Sequence, residues 1–164
     1  MATSTFVPIA TQTLGSAAAS ITFSSITGIY TDLRLVLTGT VSVADVGCIQ
    51  YNADTGTNYS YTQLYGNGTT ASSANNTTNG YIRFGGASNM STTIPSMITT
   101  DIFSYAGATN KTSLTTCAED FNGSGDVMNL VGLWRSTAAI TSIKLYLQSG
   151  NNFATGTIAT LWGI

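Results

Sequence analysis

The chain contains no histidine. That removes the side chain most often used as a general base near neutral pH, and the commonest nitrogen ligand for metals. Charge is nearly as scarce: 7% of the 164 residues are charged and the net charge is −2, against roughly a quarter charged in ordinary globular domains. No Lys/Arg cluster occurs, which argues against nucleic acid as a partner. No apolar run reaches the length of a helical membrane span, so no membrane partner is expected. The N-terminal Met-Ala-Thr-Ser-Thr-Phe-Val-Pro lacks the charged and continuous apolar regions of a secretion signal, and synthesis in a cytoplasm is expected. Neither Cys48 nor Cys117 has a partner at zinc-ligand spacing, and there is no Gly-Lys-Thr phosphate loop or nucleophile elbow. The chain therefore reads as non-enzymatic, with no cofactor and no metal. A glycosidase-like acid pair would have to come from Glu119, Asp120 and Asp126, but these fall in a Gly-rich stretch where solvated turn acids are expected.

What fills the chain instead is Thr, Ser, Asn and Gly among 43% hydrophobic residues, too apolar for disorder and suited to strands with Thr on solvent faces. Period-two alternation recurs. Between Tyr30 and Thr40, Leu33, Leu35 and Leu37 share one face, opposite Asp32, Arg34, Val36 and Thr38, and Asp32 and Arg34 are placed to pair. Between Val127 and Arg135, Val127, Asn129, Val131 and Leu133 oppose Met128, Leu130 and Trp134. Strands are also predicted at 20–23, 47–52, 59–65, 81–84, 96–105 and 112–118. Ile140–Leu147 and Phe153–Ile164, joined by a polar link, are predicted to form a closing hairpin whose apolar end is paired in a sheet. Gly15–Ser20 suits one helical turn. Gly66–Gly80, without charge or large apolar residues, reads as a long loop, as does Gly85–Pro95, and Glu119–Asp126 as a turn. Turns spaced roughly ten residues apart predict an all-β fold, an antiparallel β-sandwich, jelly-roll-like. Residues 1–164 form a single domain in this reading, with 1–14 an N-terminal arm or edge strand, because Pro8 interrupts its apolar run.

Three weaker features invite a ligand. The runs Asn52–Asn58 and Asp120–Asp126 alternate oxygen side chains as a calcium loop does, but lack the closing bidentate acid and suit ordinary turns. Tyr59, Tyr61, Tyr65 and Tyr81 would suit a carbohydrate platform or cross-strand packing. The sequons Asn58-Tyr-Ser60 and Asn76-Thr-Thr78 arise readily in such a composition. Cys48 and Cys117 fit two reduced core thiols, the cytoplasmic expectation, or a disulfide between strands.

Several stretches resemble small structural proteins of tailed bacteriophages: Pro8-Ile-Ala-x-x-x-Leu14-Gly15, Ile21-Thr-Phe-Ser-Ser-Ile26, Tyr30-Thr-Asp-Leu-Arg-Leu35, Asn58-Tyr-Ser-Tyr61 and Gly156-Thr-x-x-x-Leu161-Trp-Gly-Ile164. The resemblance implies a virion surface protein with a sandwich or jelly-roll-like fold, assembled in the host bacterial cytoplasm, and carries over no catalytic residue. Under it, the chain is expected to be a capsid cement or decoration protein bound to the major capsid protein. The alternative is a tail-fibre or receptor-binding domain for a bacterial surface glycan. Low charge predicts a homo-oligomer, dimer or trimer. Phe6, Val7, Pro8, Ile9 and Leu14 of the N-terminal arm are the predicted partner-binding residues, docking by apolar burial and backbone pairing.

Overall fold

The computed structural model describes residues 5–85 and 89–164, so residues 1–4 of the predicted arm and 86–88 of the predicted Gly85–Pro95 loop lie outside the described residues. The fold is all-β. Its strands are β1 (Val7–Thr13), β2 (Ser20–Phe23), β3 (Leu33–Gly39), β4 (Gly47–Tyr51), β5 (Tyr59–Gly66), β6 (Ala71–Asn79), β7 (Ile82–Phe84), β8 (Ser96–Phe103), β9 (Lys111–Asp120), β10 (Gly125–Trp134), β11 (Ile143–Leu147) and β12 (Ile158–Gly163). They form an eight-stranded sheet, ordered β1-β12-β3-β8-β9-β10-β5-β6, and a four-stranded sheet, β2-β11-β4-β7. Every pairing is antiparallel.

The chain crosses between sheets at each of the steps β2 to β3, β3 to β4 and β4 to β5. It crosses again from β6 to β7, β7 to β8 and β10 to β11. This is a jelly-roll path, with the hairpin β9–β10 inserted between β8 and β5 and with β12 and β1 added outside β3. Only the large sheet is widened by these additions. One continuous core lies between the sheets: Leu33, Leu35 and Leu37 of β3, as their alternation predicts, join Ile49, Met128, Leu130, Ile143 and Leu145. All five residues of β4 are buried.

Five local expectations are corrected. Ile140–Ile164 is not a hairpin: β11 pairs with β2 and β4, while β12 pairs with β1 and β3 in the other sheet. Period two marks one buried face without saying which sheet owns it. The link turns at Gly150 and Gly156, both at positive φ (80° and 86°), and is pinned midway at Phe153, which bridges to Ala18 and Val41. A buried Asp45 holds the same link, accepting from Ser149 N (3.0 Å), Ser149 Oγ (3.1 Å) and Asn151 Nδ2 (3.0 Å).

Gly66–Gly80 is not a long loop. Asn67 Oδ1 accepts the Thr69 and Thr70 amides (3.1 and 2.8 Å), closing a tight Asn-led turn, and β6 then runs back along β5. No residue of β6 is buried, so no hydrophobic alternation announces it; ladder hydrogen bonds hold it. Gly15–Ser20 forms no helical turn, because Ala18 is bonded to Phe153 instead (N to O, 3.1 Å; O from N, 2.9 Å).

Arg34 pairs with Asp101 rather than Asp32: its Nε and Nη2 donate to the two carboxylate oxygens at 2.6 and 2.7 Å. Asp101 is its directly opposed neighbour on β8, closer than a residue two positions along one strand. Asp32 accepts the Ser104 amide instead (2.6 Å). Finally, the turn expected over Glu119–Asp126 shrinks to Phe121–Ser124. Asn122 and Gly123 at positive φ (60° and 109°) suffice for the reversal. Glu119 and Asp126 therefore stand opposed within the ladder and are buried rather than solvated.

Candidate interaction face

The large sheet turns one face to the core and leaves the other, outer face uncovered by the small sheet. Cross-strand register lays its side chains in rows. One row runs Trp162, Arg34, Asp101, Leu114, Val131 and Thr62. The next runs Thr160, Val36, Thr99, Thr116, Asn129 and Leu64, and a third Ile158, Thr38, Met97, Ala118 and Val127. Among the described residues, seven of the ten exposed large hydrophobics lie on this face: Leu64, Met97, Phe103, Leu114, Val127, Val131 and Ile158. Leu114, Val127 and Val131 belong to the inserted hairpin β9–β10.

The three rows carry a single pair of charges, and these neutralise each other. Hydrogen bonding to Asp101 raises the Arg34 pKa above its ordinary value, outweighing the opposing cost of burial, and the neighbouring negative charge adds a smaller rise. The Phe6 ring lies 5.3 Å from the guanidinium carbon, within cation–π range. Two depressions open on the face. One, of about 700 Å³, is lined by Met97, Ala118 and Val127, by the Asn67–Thr69 turn, by Ile94 and Pro95, and by Glu119, Asp120 and Asp126 around the β9–β10 turn. The other, of about 300 Å³, is lined by Thr62, Asn75, Thr112, Val131 and Leu133. The three rows combine apolar relief, scattered hydroxyls and one ion pair, the composition of a protein-docking surface, while the acids of the larger depression gather at the β9–β10 turn.

The structure divides the predicted binding residues. Val7–Thr13 is the edge strand β1, paired with β12, and its register shifts between Pro8 and Ala10, leaving Ile9 as the extra residue of a bulge. Pro8 is exposed beside Trp162 and Phe6 lies over Arg34, so both join the outer face. Val7 is half-buried opposite Gly163. Ile9 and Leu14 pack against the protein's own core.

The tyrosines do not form an outward platform. Tyr59 is buried and stacks on Trp134 (centroids 6.2 Å, 17°), Tyr61 and Tyr65 pack against the core, and Tyr81 meets Tyr146 edge-on at 6.3 Å. The oxygen-rich turns use their own oxygens. Asp120 Oδ1 accepts the Asn122 amide (2.8 Å). Asp54 accepts from Trp134 Nε1 (2.7 Å), Asn58 Nδ2 (3.0 Å) and the Gly56 amide (2.8 Å). No group of three metal-ligating side chains is gathered among the described residues.

The Trp134 hydrogen bond, first among these contacts, holds the Asp54 carboxyl below its ordinary value. A depressed carboxylate stabilises the fold above the unfolded value near 4 and loses that contribution as pH falls through the folded one. Trp134 fluorescence should therefore titrate below the usual carboxylate range, and Asp54→Asn should abolish the step. A step of unchanged size in that variant would assign it to another group.

Cys48 and Cys117 are both free and buried. Burial is the main cause that pushes each thiol up to about 12. Since thiolate is the reactive form, neither should react with a disulfide reagent at pH 8 in the folded protein, and both should react once it is denatured. Rapid labelling of either in the native state would contradict this.

The outer face did leave a trace in the sequence. Val127 and Val131 are apolar at the parity opposite the buried Met128 and Leu130, and a strand apolar on both parities needs covering on both faces. Compared with models of known protein families and with curated proteins, the chain matches none.

Proposed function

We propose that the protein is a non-enzymatic structural protein of a bacteriophage virion, a capsid decoration or cement protein that sets the outer face of its eight-stranded sheet against the major capsid protein. The observation that carries this reading is the concentration of exposed apolar side chains on that one face, most of it on strands added to the jelly-roll path. Phe6 and Pro8 extend the face at its β1 edge. With the Arg34–Asp101 pair already satisfied, docking draws on apolar burial rather than ion pairs and depends weakly on salt. The protein would be made in the host bacterial cytoplasm and reside on the virion surface. The rival, a tail-fibre domain reading a bacterial surface glycan, loses its proposed platform because Tyr59, Tyr61 and Tyr65 turn toward the core.

The test is to add purified protein to phage heads that lack it and image the particles by electron microscopy. The expected result is regular density on the head lattice with the eight-stranded sheet toward the shell. Density confined to the tail, or glycan binding without head binding, would overturn it.

A further inference from the structure

Four strands end the two sheets, and three are poor templates for further pairing. β2 has four residues and β7 three. β1 contains Pro8, which has no amide hydrogen to give, and bulges at Ile9; proline, bulges and short length are the usual protections of an edge. β6 has no proline and is not short, and its one irregularity, an extra residue at Thr77–Thr78 opposite Ser60 of β5, lies beyond the regular stretch Ala71–Asn76. The strand is nine residues long, Ala-Ser-Ser-Ala-Asn-Asn-Thr-Thr-Asn, without proline, glycine or charge. Its register with β5 is regular from Tyr61↔Asn76 to Gly66↔Ala71. Its other side has no strand partner among the described residues.

We propose that this free edge pairs antiparallel with the β6 of a second copy, across a two-fold axis near Asn75, joining two eight-stranded sheets edge to edge. Chemistry favours a copy of the same chain. Symmetric pairing sets the central residue against itself and its neighbours against their mirror positions, so any charge near the axis would meet its like. Neither β6 nor the adjacent β5 carries one. About Asn75 the facing positions are Asn75 with Asn75 and Ala74 with Asn76, beyond which Ser73 and Ser72 meet the bulged pair Thr77 and Thr78. All are small, and the hydroxyl and amide pairs can hydrogen-bond across the strands. Every side chain of β6 is exposed or half-buried, so nothing need be unpacked to admit the second strand. The joined sheets would also bring the two outer faces, each with Leu64 61% exposed near the seam, into one larger docking surface. That makes the dimer the unit suited to a shell, yet pairing itself requires no shell.

Sedimentation of the isolated protein over a range of concentrations tests the pairing without particles, so a failure of decoration leaves it standing. The wild type should form a dimer. Asn75→Lys sets two ammonium groups together at the axis and should weaken the dimer at least tenfold, with circular dichroism and Tm unchanged. Asn75→Cys should give a covalent dimer on mild oxidation, whereas Ser73→Cys, which faces Thr77 of the partner, should not. Hydrogen exchange adds a readout on the unmodified chain: β6 amides should gain protection as concentration rises. A wild type that stays monomeric at all concentrations would overturn the proposal. So would a dimer indifferent to Asn75→Lys, cross-linking through Ser73→Cys alone, or β6 protection that arises only on binding a different protein.

Discussion

Replacing Phe153 with alanine should lower folding stability by about 3–5 kcal/mol, the range for truncating a buried aromatic ring. Phe153 is fully buried and stands where three connections meet. It bridges Ala18 in the β1–β2 link and Val41 in the β3–β4 link, while itself lying between β11 and β12. A site of this kind collapses poorly around a cavity, because its walls are held by other bonds: the Ala18 and Phe153 backbones bond in both directions at 3.1 and 2.9 Å, and Asp45 clamps the same link through Ser149 and Asn151. Residual cavity volume, not lost transfer energy alone, sets the upper end of the range. Denaturant unfolding checks it, and Tm should fall by roughly 10 °C for a chain of this size. A loss under about 1 kcal/mol would mean that the links relax into the gap and that Phe153 is filler rather than the pin between the sheets.

That pin also shows where sequence reasoning stops. Leu33, Leu35 and Leu37 announce β3 because one buried face alternates with an outward one, and Met128 and Leu130 announce β10 in the same way. Alternation is local, however, and partner choice is not. Nothing in Ile143–Leu147 or Ile158–Gly163 says that they belong to different sheets; that follows from the crossing at Phe153, a single aromatic residue in a polar stretch. β6 was illegible for the opposite reason, since a strand that buries nothing leaves no hydrophobic trace. Arg34 found its partner across the ladder, at a separation in sequence that no local pattern reveals. The binding residues divide along the same line. Apolar character in Phe6–Leu14 marked a segment that packs, but not which residues face outward, and the bulge at Ile9 decides that. The docking face was legible only as apolar residues on the second parity of β10, whose meaning depends on knowing that the small sheet covers the other side.

If the outer face is the docking surface, changing its charge should abolish attachment while sparing the fold. Leu114 and Val131 are directly opposed on β9 and β10, near the middle of the rows, and 44% and 51% exposed. The double variant Leu114→Lys, Val131→Glu places opposite charges across the ladder, a favourable cross-strand pair. Neither side chain leaves a cavity, so stability should change by less than about 1 kcal/mol. Docking is another matter. Six strands at about 4.8 Å spacing, over some five or six residues of strand length, present a footprint on the order of 500–600 Å², a substantial part of the roughly 800 Å² per partner of a standard interface. Two charges brought into the centre of such a patch must be stripped of water against a shell that evolved to meet apolar groups, and their mutual attraction does not offset that cost in full. Affinity for heads lacking the protein should fall by at least about 100-fold, or roughly 3 kcal/mol. The effect should persist at high salt, because it arises from desolvation rather than from long-range repulsion. The same substitutions should leave pairing at the β6 edge intact, since β5 stands between β10 and β6. A folded double variant that still decorates heads at wild-type affinity would show that attachment uses another surface, and the exposed β1 edge with Phe6 and Pro8 would then be the next to change.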